Sequence, residues 1–465
     1  MLPQHCAISS QNQETEIVGA NHDGSRTARI VVYSMAYRGD VFPLVALARE
    51  LGLRGYDVVL CVPEEMHGLF AAEPFTCVDA DSGDLTPTRL DAYGSYTARW
   101  GKVLMGAMLL RLYIGRLTVP RLAEMHAAID RAIEGADLLV THPAAATVGR
   151  IAAEKRGIPW IAADLFPMLT PTVHHPPPLM PRWKRDHKLA HAYHRSMWAL
   201  SMSPMARWVS SEKAFVKYRA EHGLTTEPSY LVLGRLSPLQ NVVLVSKHYL
   251  EPAADWDSKY PMCGFTYWTG NDQTLPVEVE EFLAAGDTPV LVTLGTSAAA
   301  GDSHVFARVA RVLDELGLRG LYLTSNEVNA AELGNRPGVW PYLALEAILP
   351  RVRAVVQSGS HGTNALVLAA GKPSVIVPHL FDQVWHGKRQ VDLGTGILAG
   401  RRFRKHQQLK AALQQVTTDP RFAAAAEAFA AKLATEDGAG AACKVIEEFL
   451  AAIPPWNLQE IDDRV

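Results

Sequence analysis

The feature that most constrains this chain is an alternation of two apolar patterns. "ARIVVYSM" (28–35) is a buried-strand run, "FPLVALARELGLRG" (42–55) spaces its apolar residues as a helix does, and "YDVVLCVP" (56–63) is a strand again. A strand–helix–strand unit requires a crossover, so it predicts a parallel sheet with helices on its faces. The pattern returns in "ADLLVTHPAAATVGRIAAEKRGIPWIAADLF" (136–166), where the helix stops at Gly157 ahead of Pro159. A second series opens at "TPVLVTLGTSAAAGDSHVFARVARVLDELGLRGLYLTS" (288–325) and runs on through "RAVVQSG" and "PSVIVP".

Two doubly wound, Rossmann-like α/β domains follow from this reading. Residues 28–270 form the first and 287–445 the second, joined by a polar connector at 271–286 that ends in Gly286-Asp287. Residues 1–27 read as a polar, disordered tail, and 446–465 as a tail or helix returning to the first domain. Ligands of such sheets bind beyond the carboxyl ends of the strands, which places the expected active site in the cleft between domains.

Bulk properties exclude several functions. A formal charge of −3 gives no basic face for nucleic acid. The five cysteines, Cys6, Cys61, Cys77, Cys263 and Cys443, are scattered and lack CxxC spacing, so neither a zinc site nor a disulfide framework is expected. The opening residues lack the basic start and apolar run of a signal peptide, and no apolar stretch reaches the length of a membrane span. A cytoplasmic protein without a metal or a bound cofactor is the expectation.

The stretch "QSGSHGTNALVLAAGKPSVIVPHLFDQ" (357–383) holds the most chemistry. A strand leads into glycines and small polar residues, and a helix follows. A helix N-terminus carries unpaired N–H groups and about half a positive charge, which suits a diphosphate without a metal. Gly359 and Gly362 let the backbone approach, and Ser360, His361 and Thr363 add side-chain donors. Beyond the next strand, Asp382 and Gln383 are placed to hydrogen-bond sugar hydroxyls. A second reading stays open: the glycines serve a tight turn and Asp382 caps the next helix.

The segment resembles the donor-binding signature of GT-B glycosyltransferases of the macrolide, glycopeptide and sterol type, within the UDP-glycosyltransferase-like superfamily. The matching positions are Gly359, Gly362, Thr363, Gly371, Pro373, Pro378, Asp382 and Gln383. Ser358 stands where that family has its phosphate-binding His, and Ser360 where it has a second Gly. His361 occupies the variable position, a candidate for the missing imidazole. Tyr342 falls in the segment that packs on the nucleotide base, either as a stacking platform or as a core aromatic. "LGTSAAAG" resembles the loop that closes over the donor phosphates, with Thr296 and Ser297 as candidate donors. The resemblance extends from residue 28 to about 450. It implies a GT-B fold and a nucleotide-diphosphate sugar, UDP- or TDP-linked, as co-substrate.

Arg38-Gly39-Asp40-Val41-Phe42-Pro43, after the first strand, resembles the Arg-Gly-Asp-x-x-Pro turn of glycopeptide and sterol glucosyltransferases. A carboxylate at this strand end suits a general base accepting the proton of an attacking alcohol, a role worth about 10²- to 10⁴-fold. Asp40 also suits the N-cap of the following helix. His142, at another strand end, is either an acceptor-side residue beside Arg38 and Gly39 or a structural histidine. "PRWKRDHKLAHAYHRSMW" (181–198) mixes basic and aromatic residues, as a peripheral membrane contact, a lipophilic acceptor wall or an ordinary amphipathic helix would. The expected activity is inverting, metal-independent transfer of a hexose to a hydroxyl of a lipophilic acceptor. An epimerase of the same fold and a non-catalytic nucleotide-sugar binder are the alternatives.

Overall fold

The structure is a computed structural model that describes residues 27–34, 38–80, 118–143, 146–177, 187–204, 212–224, 234–270, 274–295, 304–379, 381–399 and 406–453. Its first sheet contains β1 (Arg29–Tyr33), β2 (Asp57–Val62), β3 (Thr76–Asp79), β4 (Leu138–Thr141), β5 (Trp160–Asp164) and β6 (Gln240–Val243). They lie in the order β3-β2-β1-β4-β5-β6, every pair parallel. The second sheet contains β7 (Val290–Thr293), β8 (Gly320–Leu323), β9 (Val339–Trp340), β10 (Ala354–Gln357), β11 (Ser374–Ile376) and β12 (Gly396–Leu398). Its order is β12-β11-β10-β7-β8-β9, again all parallel.

Counted from its own first strand, each sheet has the order 3-2-1-4-5-6. The winding reverses between β1 and β4 in one domain and between β7 and β10 in the other. At such a reversal neighbouring loops leave in opposite directions and open a crevice at the carboxyl ends of the strands. Each domain therefore has one topologically fixed place for a ligand.

Burial explains why the strands read as continuous apolar runs. Ile30 to Tyr33, Leu138 to Val140, Val290 to Val292 and Val355 to Val356 are all inaccessible to solvent, because helices cover both faces. The helix Arg38–Leu53 buries Val41, Leu44, Val45, Leu47, Ala48 and Leu51 against the first sheet. Each of these valines and leucines contributes about 1.5–3 kcal/mol through burial.

Three boundaries differ from the sequence reading. The first helix begins at Arg38 rather than Phe42, because its opening turn is polar and invisible to apolar periodicity. Asp40 is therefore the third helical residue and not its N-cap. The stretch 271–286 carries a helix, Val277–Ala284, whose Val279 and Leu283 are buried in the second domain's core. Its glutamates face outward and hide the apolar pair that sits one turn apart. The helix crossing back to the first domain runs from Gly438 to Ala452, opened by Asp437 accepting the Gly440 N–H at 2.9 Å.

Ala442, Cys443 and Ile446 of that helix lie in the same apolar cluster as Val32, Leu47 and Val62 of the first domain. Arg54 Nη1 donates to Glu447 Oε2 at 3.0 Å beside them. A further cluster bridges the domains, joining Val243, Val245, Tyr249 and Phe265 to Ala365, Leu368, Phe429 and Leu433. Trp198, within the basic–aromatic segment, is buried and donates its indole N–H to the His175 carbonyl at 2.8 Å. Among the described residues no helix is long and apolar enough to cross a membrane.

Candidate active site

On the first-domain side, the backbone leaves β1 at Ser34, and the helix that re-enters at Arg38 carries Asp40 in its first turn. His142 lies one residue past β4, its backbone N–H donating to the Tyr33 carbonyl at 3.0 Å. Asp40 and His142 thus come from the two strands that flank the switch point. His142 Nε2 is 3.9 Å from Asp40 Oδ1. The imidazole is fully buried while the carboxylate keeps 21% of its side-chain surface exposed. Burial, with the Asp382 charge adding to it, pushes the Asp40 carboxyl up to about 7. Burial, with His361 and Arg235 nearby, pushes His142 down to about 3, so that imidazole is neutral. His142 therefore supplies Asp40 with no positive charge.

On the second-domain side, β10 runs into Ser358-Gly359-Ser360 and the helix His361–Ala369. Gly359 has φ +86°, and a Cβ there would sit 2.9 Å from Ile376 Cγ2 and 3.1 Å from the Gln383 carbonyl. Only glycine fits both that dihedral and that space. Ser360 is the N-cap, yet its side chain makes no capping hydrogen bond. The first intrahelical bond, Asn364 N–H to the Ser360 carbonyl, is 2.8 Å. The N–H groups before it have no side-chain cap and can meet an anion.

The Ser358 hydroxyl is buried and without a hydrogen-bond partner. Gly295, just past β7, lies close to it: a Cβ there would be 3.9 Å from Ser358 Oγ and 3.8 Å from Ser360 Oγ. The loops after β7 and β10 converge as the strand order requires. Thr296 and Ser297 lie outside the described residues. Gly362 abuts the first domain, its Cβ position 3.4 Å from the Gly39 carbonyl. Thr363, next to it, is half-buried.

His361 is only 3% exposed. Its ring packs between Phe166 and Phe265, with centroids at 6.2 and 5.6 Å, and burial pushes it down to about 4. The imidazole is thus a neutral, buried group rather than an open arm at the helix mouth. Asp382 opens the helix Phe381–Asp392, and burial pushes it up to about 6 against the pull of its own and the Gln383 N–H groups. Gln383 is buried, its Oε1 accepting the His379 N–H at 2.7 Å, so this amide oxygen braces the loop. Tyr342 is 53% exposed, with the Arg38 guanidinium 5.0 Å above its ring, which excludes the core-aromatic reading.

Arg38, Gly39, Asp40 and His142 are therefore brought opposite Tyr342, Ser358–Thr363 and Asp382-Gln383. Sequence reasoning missed His386 and Tyr249, which lie behind Asp382. His386 sits one helical turn after it, a spacing visible in the sequence, whereas Tyr249 carries no local signal. Among the described residues no group of three His, Cys, Asp or Glu side chains is arranged to hold a metal ion.

Residues 307–448 match the family described as erythromycin biosynthesis protein CIII-like, C-terminal domain. Over 426 residues the chain is 28% identical to the O-mycaminosyltylonolide 6-deoxyallosyltransferase of Streptomyces fradiae, covering 90% of this chain and 97% of that one. It is 25% identical over 453 residues to the vancomycin aglycone glucosyltransferase of Amycolatopsis orientalis, covering 92% and 99%. Its fold matches that of CalG4, the calicheamicin glycosyltransferase, with a TM-score of 0.64 at 17% identity over 93% of this chain and 100% of that one. It also matches the glycosyltransferase VinC, solved with dTDP, at a TM-score of 0.61 and 18% identity over 90% and 99%. Paired switch points, an uncapped helix mouth and these relatives agree: the chain is a glycosyltransferase of GT-B fold, similar over most of its length to macrolide and glycopeptide glycosyltransferases.

Proposed function

We propose that the chain moves a hexose from a TDP- or UDP-sugar to a hydroxyl of a lipophilic small molecule, with inversion and with Asp40 as general base. The observation that carries this reading is the closeness of Asp40 to the uncapped N-terminus of helix His361–Ala369, whose Gly362 abuts Gly39, the neighbour of Asp40. The acceptor hydroxyl oxygen attacks the anomeric carbon and its proton passes to the Asp40 carboxylate. The bond from that carbon to the diphosphate oxygen breaks, and the leaving oxygen's growing charge falls on the open N–H groups of residues 361–363. Ser358 and Ser360 add hydroxyl donors, and Asp382 accepts hydrogen bonds from the sugar. No step draws on a metal ion or a bound cofactor.

TDP is favoured over UDP because VinC and the spinosyn rhamnosyltransferase SpnG, two neighbours in fold, were solved with thymidine diphosphate. A bulky, lipophilic aglycone is favoured by relatives whose names specify O-mycaminosyltylonolide and vancomycin aglycone. The test is Asp40→Asn, assayed for transfer from TDP-glucose to a panel of macrolide and glycopeptide aglycones. Transfer should fall by about 10²- to 10⁴-fold while calorimetric TDP-glucose affinity stays within about threefold. Full activity in that variant removes Asp40 from the role. Donor turnover to an isomeric nucleotide sugar without any acceptor would favour an epimerase instead.

A further inference from the structure

Behind Asp382 runs a buried chain of hydrogen bonds that sugar transfer itself does not employ. Gln357 Nε2 donates to Ser374 Oγ at 3.2 Å, and Ser374 Oγ donates to Gln390 Oε1 at 2.5 Å. Gln390 Nε2 donates to Asn364 Oδ1 at 2.6 Å, and Asn364 Nδ2 donates to the Tyr249 hydroxyl at 3.1 Å. That hydroxyl already accepts from an amide, and His386 Nδ1, 2.8 Å away, is the acceptor in reach of its own proton. All six side chains are buried. A neutral imidazole whose Nδ1 accepts must carry its proton on Nε2.

Nε2 of His386 is buried on the side of the ring that faces Asp382. It lies 3.9 Å from Asp382 Oδ2, one turn back on the same helix, and has no hydrogen-bond partner. A small rotation of the carboxylate closes that distance to a hydrogen bond, leaving Oδ1 for a sugar hydroxyl. With the opposite tautomer, a bare nitrogen lone pair would face the carboxylate and repel it. The tautomer is therefore what lets a buried acid keep one oxygen held and offer the other.

Tyr249 reaches this position from the first domain's side of the chain, six residues past β6. Its ring is packed with Phe265, Ala365, Leu368 and Phe429 in the cluster that bridges the domains. It stacks on His386 with centroids 5.8 Å apart and an interplanar angle of 27°. Arg389 Nε donates to the Tyr249 carbonyl and fixes the backbone as well. The segment that joins the two sheets thus sets a hydroxyl, near its start, against the helix that carries Asp382.

We infer that Tyr249 and His386 are positioning residues for the donor sugar: the Tyr249 hydroxyl sets the imidazole tautomer whose Nε2–H holds Asp382 in its sugar-accepting orientation. This rests on the donor reading of the preceding subsection. It further assigns the distinction between a nucleotide sugar and a bare nucleoside diphosphate to this pair, since the diphosphate meets the helix mouth and not Asp382.

Calorimetric titration of wild type, Tyr249→Phe, His386→Phe and His386→Gln with TDP and with TDP-glucose tests it. Tyr249→Phe keeps the ring and removes only the hydroxyl. His386→Gln retains an N–H donor that His386→Phe lacks. Tyr249→Phe and His386→Phe should weaken TDP-glucose by about tenfold or more, the effect of losing a hydrogen bond to a charged group. Their TDP affinity should stay within about twofold, and His386→Gln should recover part of the sugar affinity. In turnover, the loss should appear in the donor KM more than in kcat. Equal weakening of TDP and TDP-glucose would make the pair merely structural and overturn the inference, as would unchanged TDP-glucose affinity. Should Tyr249→Phe not fold, the contrast between the two His386 variants decides by the same two ligands. If wild type binds neither ligand, the donor reading itself fails, a result distinct from failure of the variants alone.

Discussion

Asp40 and Asp382 enter one cleft from opposite domains, and burial holds both above the ordinary carboxylate range, at about 7 and about 6. A raised acid binds more protons folded than unfolded, so its contribution to stability is present at low pH and lost as pH rises from about 4 to about 7. Asp40→Asn should therefore raise Tm over wild type by more at pH 8 than at pH 4, a comparison thermal denaturation can make directly. Transfer should rise with pH as the Asp40 carboxyl loses its proton near 7, and the pH profile of kcat/KM checks this. Gly359 is constrained differently. Gly359→Ala combines a positive φ with a 2.9 Å approach to Ile376, and should destabilise by about 1–3 kcal/mol in denaturant unfolding. Asp40, Asp382 and Gly359 were legible because each belongs to a short motif beside a strand end. Tyr249 was not, since its hydroxyl meets His386 at a separation of 137 residues, and no local pattern encodes such a contact. The buried state of His361 was equally hidden, because it depends on Phe166 and Phe265 from the other domain.

Among the elements, the helices His361–Ala369 and Gly438–Ala452 have contrasting roles. The first presents its N-terminus to the cleft and its apolar face to the bridging cluster, so it is fixed from behind and open in front. The second belongs by sequence to the far end of the second domain and by packing to the first. Ile446→Ala should cost about 2–5 kcal/mol, and its effect should appear in hydrogen exchange of β1 and β2 rather than of β7 and β10. Sequence periodicity found the strands well, because covered parallel strands are long apolar runs. It misjudged helix starts at Arg38 and the helix Val277–Ala284, where polar residues dominate the exposed face. Whether a helix packs on its own domain or crosses to another is settled by shape complementarity of a few residues, and here those are Ala442, Cys443 and Ile446.

For the whole molecule, repetition of one strand order in two sheets sets the Asp40 carboxylate at one switch point and the uncapped N-terminus of helix His361–Ala369 at the other. A nucleotide that binds only the folded state adds stability by mass action. TDP at about a hundred times its Kd should add about 2.7 kcal/mol and a matching rise in Tm, which a thermal-shift titration measures. Two parallel α/β domains were evident from alternation alone, while the order of strands within each sheet left no mark on local sequence. The crossing of helix Gly438–Ala452 has a consequence for biosynthesis. The ribosome finishes the amino-terminal sheet long before it makes the side chains that seal one of its faces, so that lobe emerges with an apolar furrow beside helix Arg38–Leu53. Until the entire second lobe has been translated, the furrow stays unfilled, and the nascent chain keeps that apolar surface open to aggregation.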